Sequence, residues 1–258
     1  MKAKTISPLK DNPLRNPGQS VQEEIDKIFD EKVIMLIIAP ALFIYAAAMT
    51  WWYKHTNKIP NPALLIIMAI GVSIYSVVRI YTLRNQVKKL KQARDGEKAV
   101  GQYLENFRIN GDRVFHDIIG GEFNLDHVIV SKHGVFIIET KTYSKPKGKE
   151  PEIIYRKNHI RINGFDTKDK LLIQARCEAK WLRKMLKSST GKNYSIQTAI
   201  VFPGWFVKDK ENQNSTDIWV LNPKALPKFI SNTKETLSQE EMMLASYHIS
   251  RFIRTNTL

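Results

Sequence analysis

Two stretches of this chain contain no charged side chain: residues 33–53 (VIMLIIAPALFIYAAAMTWWY) and residues 62–78 (PALLIIMAIGVSIYSVV), the second extended past Arg79 by Ile80 and Tyr81. A helix needs about 20 apolar residues to cross a bilayer, so both runs are long enough. Trp51, Trp52, Tyr53 and Tyr81 fall at their ends, where amphipathic rings favour the headgroup zone. Pro40 is compatible with the interior of a spanning helix. Only residues 54–61 separate the runs, so the two helices form a hairpin. A cleaved signal peptide fits poorly: 32 residues precede the first run, a second span follows at once, and no small-residue cleavage site is evident. A buried core hairpin would not use two uncharged runs of this length.

The flanks predict an orientation. Arg79, Arg84, Lys88, Lys89, Lys91 and Arg94 follow the second span with no acid before Asp95, whereas the short loop holds only Lys54 and Lys58. The positive-inside rule then places both termini in the cytoplasm, with the chain in the inner membrane. The formal net charge is +15. Residues 1–32 carry six basic and six acidic side chains and residues 33–81 add three basic ones, which leaves +12 on residues 82–258. A basic soluble part points to a polyanionic partner, nucleic acid or anionic lipid, or is simply a solvated face. The single cysteine, Cys177, excludes an intrachain disulfide, and no Cys/His cluster has zinc-site spacing. Its place in a helical pattern reads as packing.

The expected organisation is a loosely structured N-terminal segment (1–32) with a short amphipathic helix over 20–32, a first span (33–53), an external loop (54–61), a second span (62–81), a basic juxtamembrane helix (82–94) suited to anionic lipid, and a soluble domain (95–258). Within that domain, 95–108 reads as a helix, 113–119 as a strand, and 124–130 and 135–141 as strands joined by the turn SKHG at 131–134. Residues 152–156 and 159–163 form a second hairpin turning at Lys157 and Asn158. Leu172, Ala175, Ala179, Leu182 and Leu186 stripe a helix over 167–187. Residues 196–202 and 217–221 read as buried strands and 238–254 as a final helix. This mixture is an α/β domain built on a central sheet.

The chemistry concentrates at 124–141. A four-residue turn at 131–134 sets Val130 opposite Val135, and the same register sets Asp126 opposite Glu139. Opposed residues share a face, with Cβ atoms about 5 Å apart, and alternation brings Lys141 to that face while Phe136 and Ile138 turn to the core. Two facing carboxylates repel unless a counter-charge joins them. A divalent cation supplies one, and Mg²⁺ favours a few carboxylates, retained waters and phosphate oxygens. With Lys141 to orient or deprotonate water, or to offset phosphate charge, the set suits metal-assisted phosphodiester hydrolysis. A surface Glu–Lys pair on an edge strand, with Asp126 in a turn, fits the same spacing.

The longer pattern resembles the nuclease-related domain (NERD) family of the PD-(D/E)xK nuclease superfamily. The matching pieces are GEKAVGQYL (96–104), HDI (116–118), FNLDHVIVSKHGVFIIETK (123–141), Gln174 and VFPG (201–204), in order from residue 96 to about residue 229. The resemblance implies a restriction-endonuclease-like core, a central mixed sheet flanked by helices, here preceded by two transmembrane helices. It implies Asp126 and Glu139 as metal ligands with the backbone carbonyl of Thr140, Lys141 as the catalytic lysine, Glu97 as the first-helix acid, and Gln174 as the residue that orients substrate or water. The strand motif has Glu139 where other superfamily members carry Asp; both are hard oxygen ligands. The expected activity is a membrane-anchored nuclease that uses Mg²⁺, with Mn²⁺ as a substitute, on DNA ahead of RNA, and that guards against incoming DNA. The alternative is a non-enzymatic membrane protein that holds nucleic acid or scaffolds a complex. A homo-oligomer or a partner subunit is compatible with either.

Weaker candidates accompany these. His127 points away from Asp126 and reads as core; His116 and His133 read as strand-edge and turn residues. Tyr143, Lys145, Lys147 and Lys149 form a basic loop able to track a phosphate backbone or simply to be solvated. Trp205 reads as packing ahead of base stacking. Two spans with few polar residues argue against a channel or transporter; their polar handles are Tyr45, Thr50, Ser73, Tyr75 and Ser76, which could as easily pack the helices against each other.

Overall fold

A computed structural model describes residues 11–56, 63–121, 123–145, 152–156, 159–167, 170–209 and 216–255. The chain divides into two compact units, residues 20–92 and residues 1–19 with 93–258.

In the first unit, α1 (Gln19–Ile28) leads through a π-helical turn (Phe29–Val33) into α2 (Ile34–His55), which accommodates Pro40. The first part of α3 (Ala63–Ile109) completes the unit. Ile25 and Ile28 of α1 are buried with Leu83 and Val87 of α3. Over their apolar stretches α2 and α3 are long and apolar enough to cross a membrane. Their side chains lie bare: Leu42 is 62% exposed, Ile67 66% and Val77 67%. Bare aliphatic surface on that scale is costly in water, which distinguishes these helices from a buried core hairpin. Thr50 and Ser73 donate to carbonyls one turn back, at Ala46 and Ala69, so their hydroxyls are satisfied within their own helices.

Residues 82–94, expected as a basic helix that continues the second span, and the helix expected over 95–108 belong with that span to one continuous helix, α3. Asp95-Gly96 does not start a new helix. Gly96 lies inside α3 because Thr142 packs onto its Cα: a Cβ there would sit 2.0 Å from Thr142 Cγ2. Packing, not chain breaking, explains that glycine.

The second unit is built on a mixed sheet, β1 (Arg113–Ile119), β2 (Asn124–Ser131), β3 (Gly134–Thr140), β7 (Ile196–Val201) and β9 (Ile218–Leu221), in the spatial order β1-β2-β3-β7-β9. The first three strands are antiparallel, and β3, β7 and β9 are parallel. Val130 pairs with Val135 and Ser131 with Gly134, the expected register. A second small sheet, β6-β5-β4-β8, comprises β4 (Glu152–Arg156), β5 (His159–Ile162), β6 (Phe165–Asp166) and β8 (Phe206–Asp209). Its β4–β5 hairpin is the expected one, with a turn at Lys157 and Asn158 that lies outside the described residues; the partner strands β6 and β8 carry no clear sequence signal. α4 (Lys170–Thr190) joins the two sheets in sequence, and α5 (Leu226–Ser231) and α6 (Gln239–Thr255) follow β9.

Both faces of the main sheet are covered. Val128, Val130, Val135 and Ile137 pack with Leu182 and Leu186 of α4 and Ile249 of α6. Ile129, Phe136 and Ile138 pack with Val100, Leu104 and Phe107 of α3 and with α5. Every residue of β3 is therefore buried, as expected for a strand central to a two-sided core. Glu139 and its neighbours occupy the end of a core strand, which removes the edge-strand alternative. Trp205 is 2% exposed within the third cluster, so it packs. Cys177 departs from expectation and is exposed, because the buried stripe of α4 runs through Leu172, Ala175, Glu178, Leu182 and Leu186.

Candidate active site

The register of the three antiparallel strands does more than oppose two acids. β1–β2 partners run from Arg113 opposite Val130 to Ile119 opposite Asn124, and that register sets Asp117 across from Asp126. The β2–β3 partners end at His127 opposite Ile138, and extending that register by one residue sets Asp126 across from Glu139. Three carboxylates line up across three strands. The regular ladder stops there: His116 pairs with His127 and Ile118 with Leu125, but Asp117 takes φ +51, a left-handed backbone more readily adopted by Asp than by most residues. On the other side, the Asp126 carboxylate replaces a backbone acceptor, taking the Thr140 N–H at 2.7 Å.

The remaining groups converge on Glu139. Lys141 Nζ donates to Glu139 Oε1 at 2.5 Å. Gln174 Nε2 from α4 donates to the same oxygen at 2.9 Å and to Glu178 Oε1 at 2.7 Å. Glu139 Oε2 and Glu178 Oε2 are buried with no hydrogen-bond partner among the described residues. Glu97, on α3, is buried and within electrostatic reach of Asp117, Asp126, Glu139 and Lys141. The five residues Glu97, Asp126, Glu139, Lys141 and Gln174 are thus brought together, and Thr140 lies among them.

Crowding alters their titration. Burial, then the charges of Asp117 and Glu139, push Glu97 up to about 7, against Lys141 and an N–H from Gly18. Burial, then Glu139 and Glu97, hold Asp126 well above the usual carboxylate range. Burial raises Glu139 despite the opposing pull of Lys141 and Gln174. Burial and Glu139 push Glu178 up to about 8. Burial by itself would lower Lys141, but Glu139 and Asp126 outweigh it and push the ammonium up to about 12. Lys141 is therefore protonated at neutral pH, a charge to be offered rather than a ready base.

Two further acids join the cluster without having stood out in the sequence. Glu178 is fully buried on the apolar stripe of α4, and its signal is a lone charge at an otherwise hydrophobic position four residues after Gln174. Asp117 is 1% exposed and paired with Arg15 at 2.6 Å; extending the hairpin register by one strand locates it. His116 departs from a simple strand-edge role: its side chain is buried and its Nδ1 lies 2.9 Å from His127 Nδ1. Burial holds His116 down to about 4 and His127 well below the usual range, so both are neutral core residues. His133 is in the turn, against the Thr233 carbonyl. Lys145 is exposed, its Nζ 3.3 Å from where a Cβ on Gly204 would lie. Lys147 and Lys149 lie outside the described residues.

Among the described residues, the carboxylates of Glu97, Asp117, Asp126, Glu139 and Glu178 gather with the cations Lys141 and Arg15, so the cluster is rich in acid. The donors are all hard oxygens and one buried oxygen of Glu139 has no partner among the described residues. That fits a Mg²⁺-like ion. Among the described residues no three His, Cys, Asp or Glu side chains are drawn into a ready-made metal cage. Mg²⁺ commonly uses one or two carboxylates with waters and substrate phosphate, so a facing pair suffices.

Residues 92–203 match the family model of the nuclease-related domain, and all five of the converging residues fall inside the match. No curated protein matches the chain. A solved structure, SfsA from Pyrococcus furiosus in complex with Ca²⁺, is similar at 18% identity over 62% of this chain and 53% of that one, with a TM-score of 0.23. A likeness that slight has no bearing on function.

Proposed function

We propose that this nuclease-related domain is a divalent-cation-dependent nuclease acting on nucleic acid, DNA ahead of RNA, and held at the cytoplasmic face of a membrane by α2 and the first part of α3. The observation that supports it is the row of acids across β1, β2 and β3 meeting Lys141 and Gln174 at the end of a core strand. Asp126 and Glu139 would hold the ion, with the Thr140 carbonyl and Glu97 assisting, and Mn²⁺ would substitute for Mg²⁺. The bound ion supplies counter-charge and Lewis acidity at the phosphate. Lys141, protonated and partly exposed, presents its charge to the non-bridging oxygens. Gln174 fixes the Glu139 carboxylate from the α4 side, keeping its geometry constant as charge develops. The basic excess of residues 82–258 draws in the polyanion.

The test is cleavage of supercoiled plasmid and of single-stranded RNA by the full chain in detergent. Mg²⁺ should support nicking, chelator should abolish it, and Glu139→Ala should remove it while leaving the protein folded. Folded protein inert on both substrates in Mg²⁺ and Mn²⁺ would overturn the reading. The non-enzymatic alternative predicts salt-sensitive binding that needs no metal and survives Glu139→Ala.

Tethering concentrates the domain in a thin layer under the bilayer, across the path of incoming phage or plasmid DNA, which suits a defensive role. A C-terminal epitope cut by protease from outside intact cells would overturn both the orientation and the role that depends on it.

A further inference from the structure

Composition alone suggests a loose segment ahead of α1, yet residues 11–18 are packed onto the nuclease-related unit. Asn12 Nδ2 donates to the Arg254 carbonyl at 3.2 Å. Leu14 packs against the α4–α6 face of the sheet. The Arg15 guanidinium, 5% exposed, pairs with Asp117 at 2.6 Å. Pro17 lies so close to Gly101 of α3 that a Cβ there would sit 2.4 Å from Pro17 Cγ. Gly18, at φ +68, presses against Arg94, and its backbone N–H donates to the Glu97 carboxyl group. These contacts end on two of the clustered acids. The strap lies outside residues 92–203, the span that matches the family model.

We propose that residues 11–18 are a working part of the candidate active centre, with Arg15 as a positioning residue: it neutralises Asp117, and together with the Gly18 N–H it holds Glu97 beside Asp126 and Glu139. The physical need is plain. A buried carboxylate without a counter-charge is strongly unfavourable, and Asp117 is the acid that bears most directly on Glu97 after burial. Arg15 has a planar fork suited to that carboxylate. The segment that precedes the membrane hairpin and the domain that follows it therefore build one site. This inference rests on reading the cluster as a nuclease centre.

The experiment uses the full chain in detergent, with Arg15→Gln, Arg15→Lys, Glu97→Gln and the Arg15→Gln/Glu97→Gln pair. Arg15→Gln should lower kcat for plasmid cleavage roughly 10- to 100-fold, the scale of a small misplacement in an active site, with KM for DNA unchanged. Arg15→Lys should restore most of the rate. In the Glu97→Gln background, Arg15→Gln should add no further loss, because both changes act on one group. Equal rates for Arg15→Gln and wild type, or an undiminished further loss in the Glu97→Gln background, would overturn the proposal. A wild type that cleaves nothing overturns the nuclease reading instead. The strap is then judged by hydrogen exchange: faster exchange of residues 12–18 in Asp117→Asn supports it, and unchanged exchange overturns it.

Discussion

Replacing Lys141 with methionine is expected to slow DNA cleavage by about 100- to 1000-fold, the loss typical of removing one preorganised group that meets developing charge. Methionine keeps most of the aliphatic stem and deletes only the ammonium. That ammonium sits 2.5 Å from Glu139 Oε1 and is pushed up to about 12. Its side chain is 23% exposed against 3% for Glu139, so one end of the pair is buried and the other reaches solvent. A lysine held this firmly in its charged form gives no change in its own ionisation between about pH 6 and 9. The cleavage rate in Lys141→Met should therefore be low across that whole range, and Lys141→Arg should recover part of it by keeping the charge. Single-turnover plasmid cleavage against pH measures this. Wild-type rates in Lys141→Met would remove the lysine from the chemistry.

Raising the pH from about 5 to about 8.5 in the presence of chelator is expected to lower the melting temperature, against the usual behaviour of proteins whose acids are paired in the folded state. Glu97 is pushed up to about 7 and Glu178 to about 8 from an ordinary value near 4.5, and Asp126 and Glu139 move in the same direction. A carboxyl whose pKa is raised by folding contributes its full stability below the unfolded value, and that contribution is lost as pH rises through the folded value. The loss should therefore develop mainly between about pH 5 and 8, from the ordinary value up to those of Glu97 and Glu178. A tenfold change in a carboxyl's proton affinity on folding is worth about 1.4 kcal/mol. The acids share one cluster, so the net effect is on the order of a few kcal/mol, or roughly 10 °C for a domain of this size. Mg²⁺ should flatten the curve by binding the ionised acids. Glu178→Gln, which deletes a buried charge beside Glu139 while keeping both carboxylates of the Asp126–Glu139 pair, should raise the melting temperature in chelator at the alkaline end and change it little at the acid end. A melting temperature that climbs with pH in chelator would show that these acids are not crowded.

Much of this centre is legible because sheet register is arithmetic. Once the turn at 131–134 sets Val130 opposite Val135, the pairing of Asp126 with Glu139 follows from the two-residue period of strands, and the structure carries that same register. Lys141 follows by alternation. Gln174 needs the family resemblance, since its distance in sequence from Glu139 carries no periodic signal. Glu178 hides inside a hydrophobic stripe, where a charged residue looks like a lapse in the pattern until Gln174 is seen to hydrogen-bond it. At Asp95 the sequence suggests the start of the soluble domain and of its first helix, and the basic helix that continues the second span runs straight through. A glycine chosen for close approach by Thr142 looks, in one dimension, the same as a glycine that ends a helix.

By itself the sequence determined the two apolar helices, an α/β domain built on a central sheet, and Asp126, Glu139 and Lys141 on one face of a strand pair; that the sheet is mixed came from the family resemblance. The helices rest on the length of uncharged runs and the rest on local periodicity, and both are written along the chain. Only the tertiary structure decided that both faces of β3 are buried, that Asp117 and Glu178 join the acids, and that Arg15 reaches Asp117 across 102 residues of chain. Those are contacts between elements distant in sequence. Their partners are selected by which surfaces pack together and by the need to neutralise buried charge, and neither leaves a repeat that can be read from one end of the chain to the other.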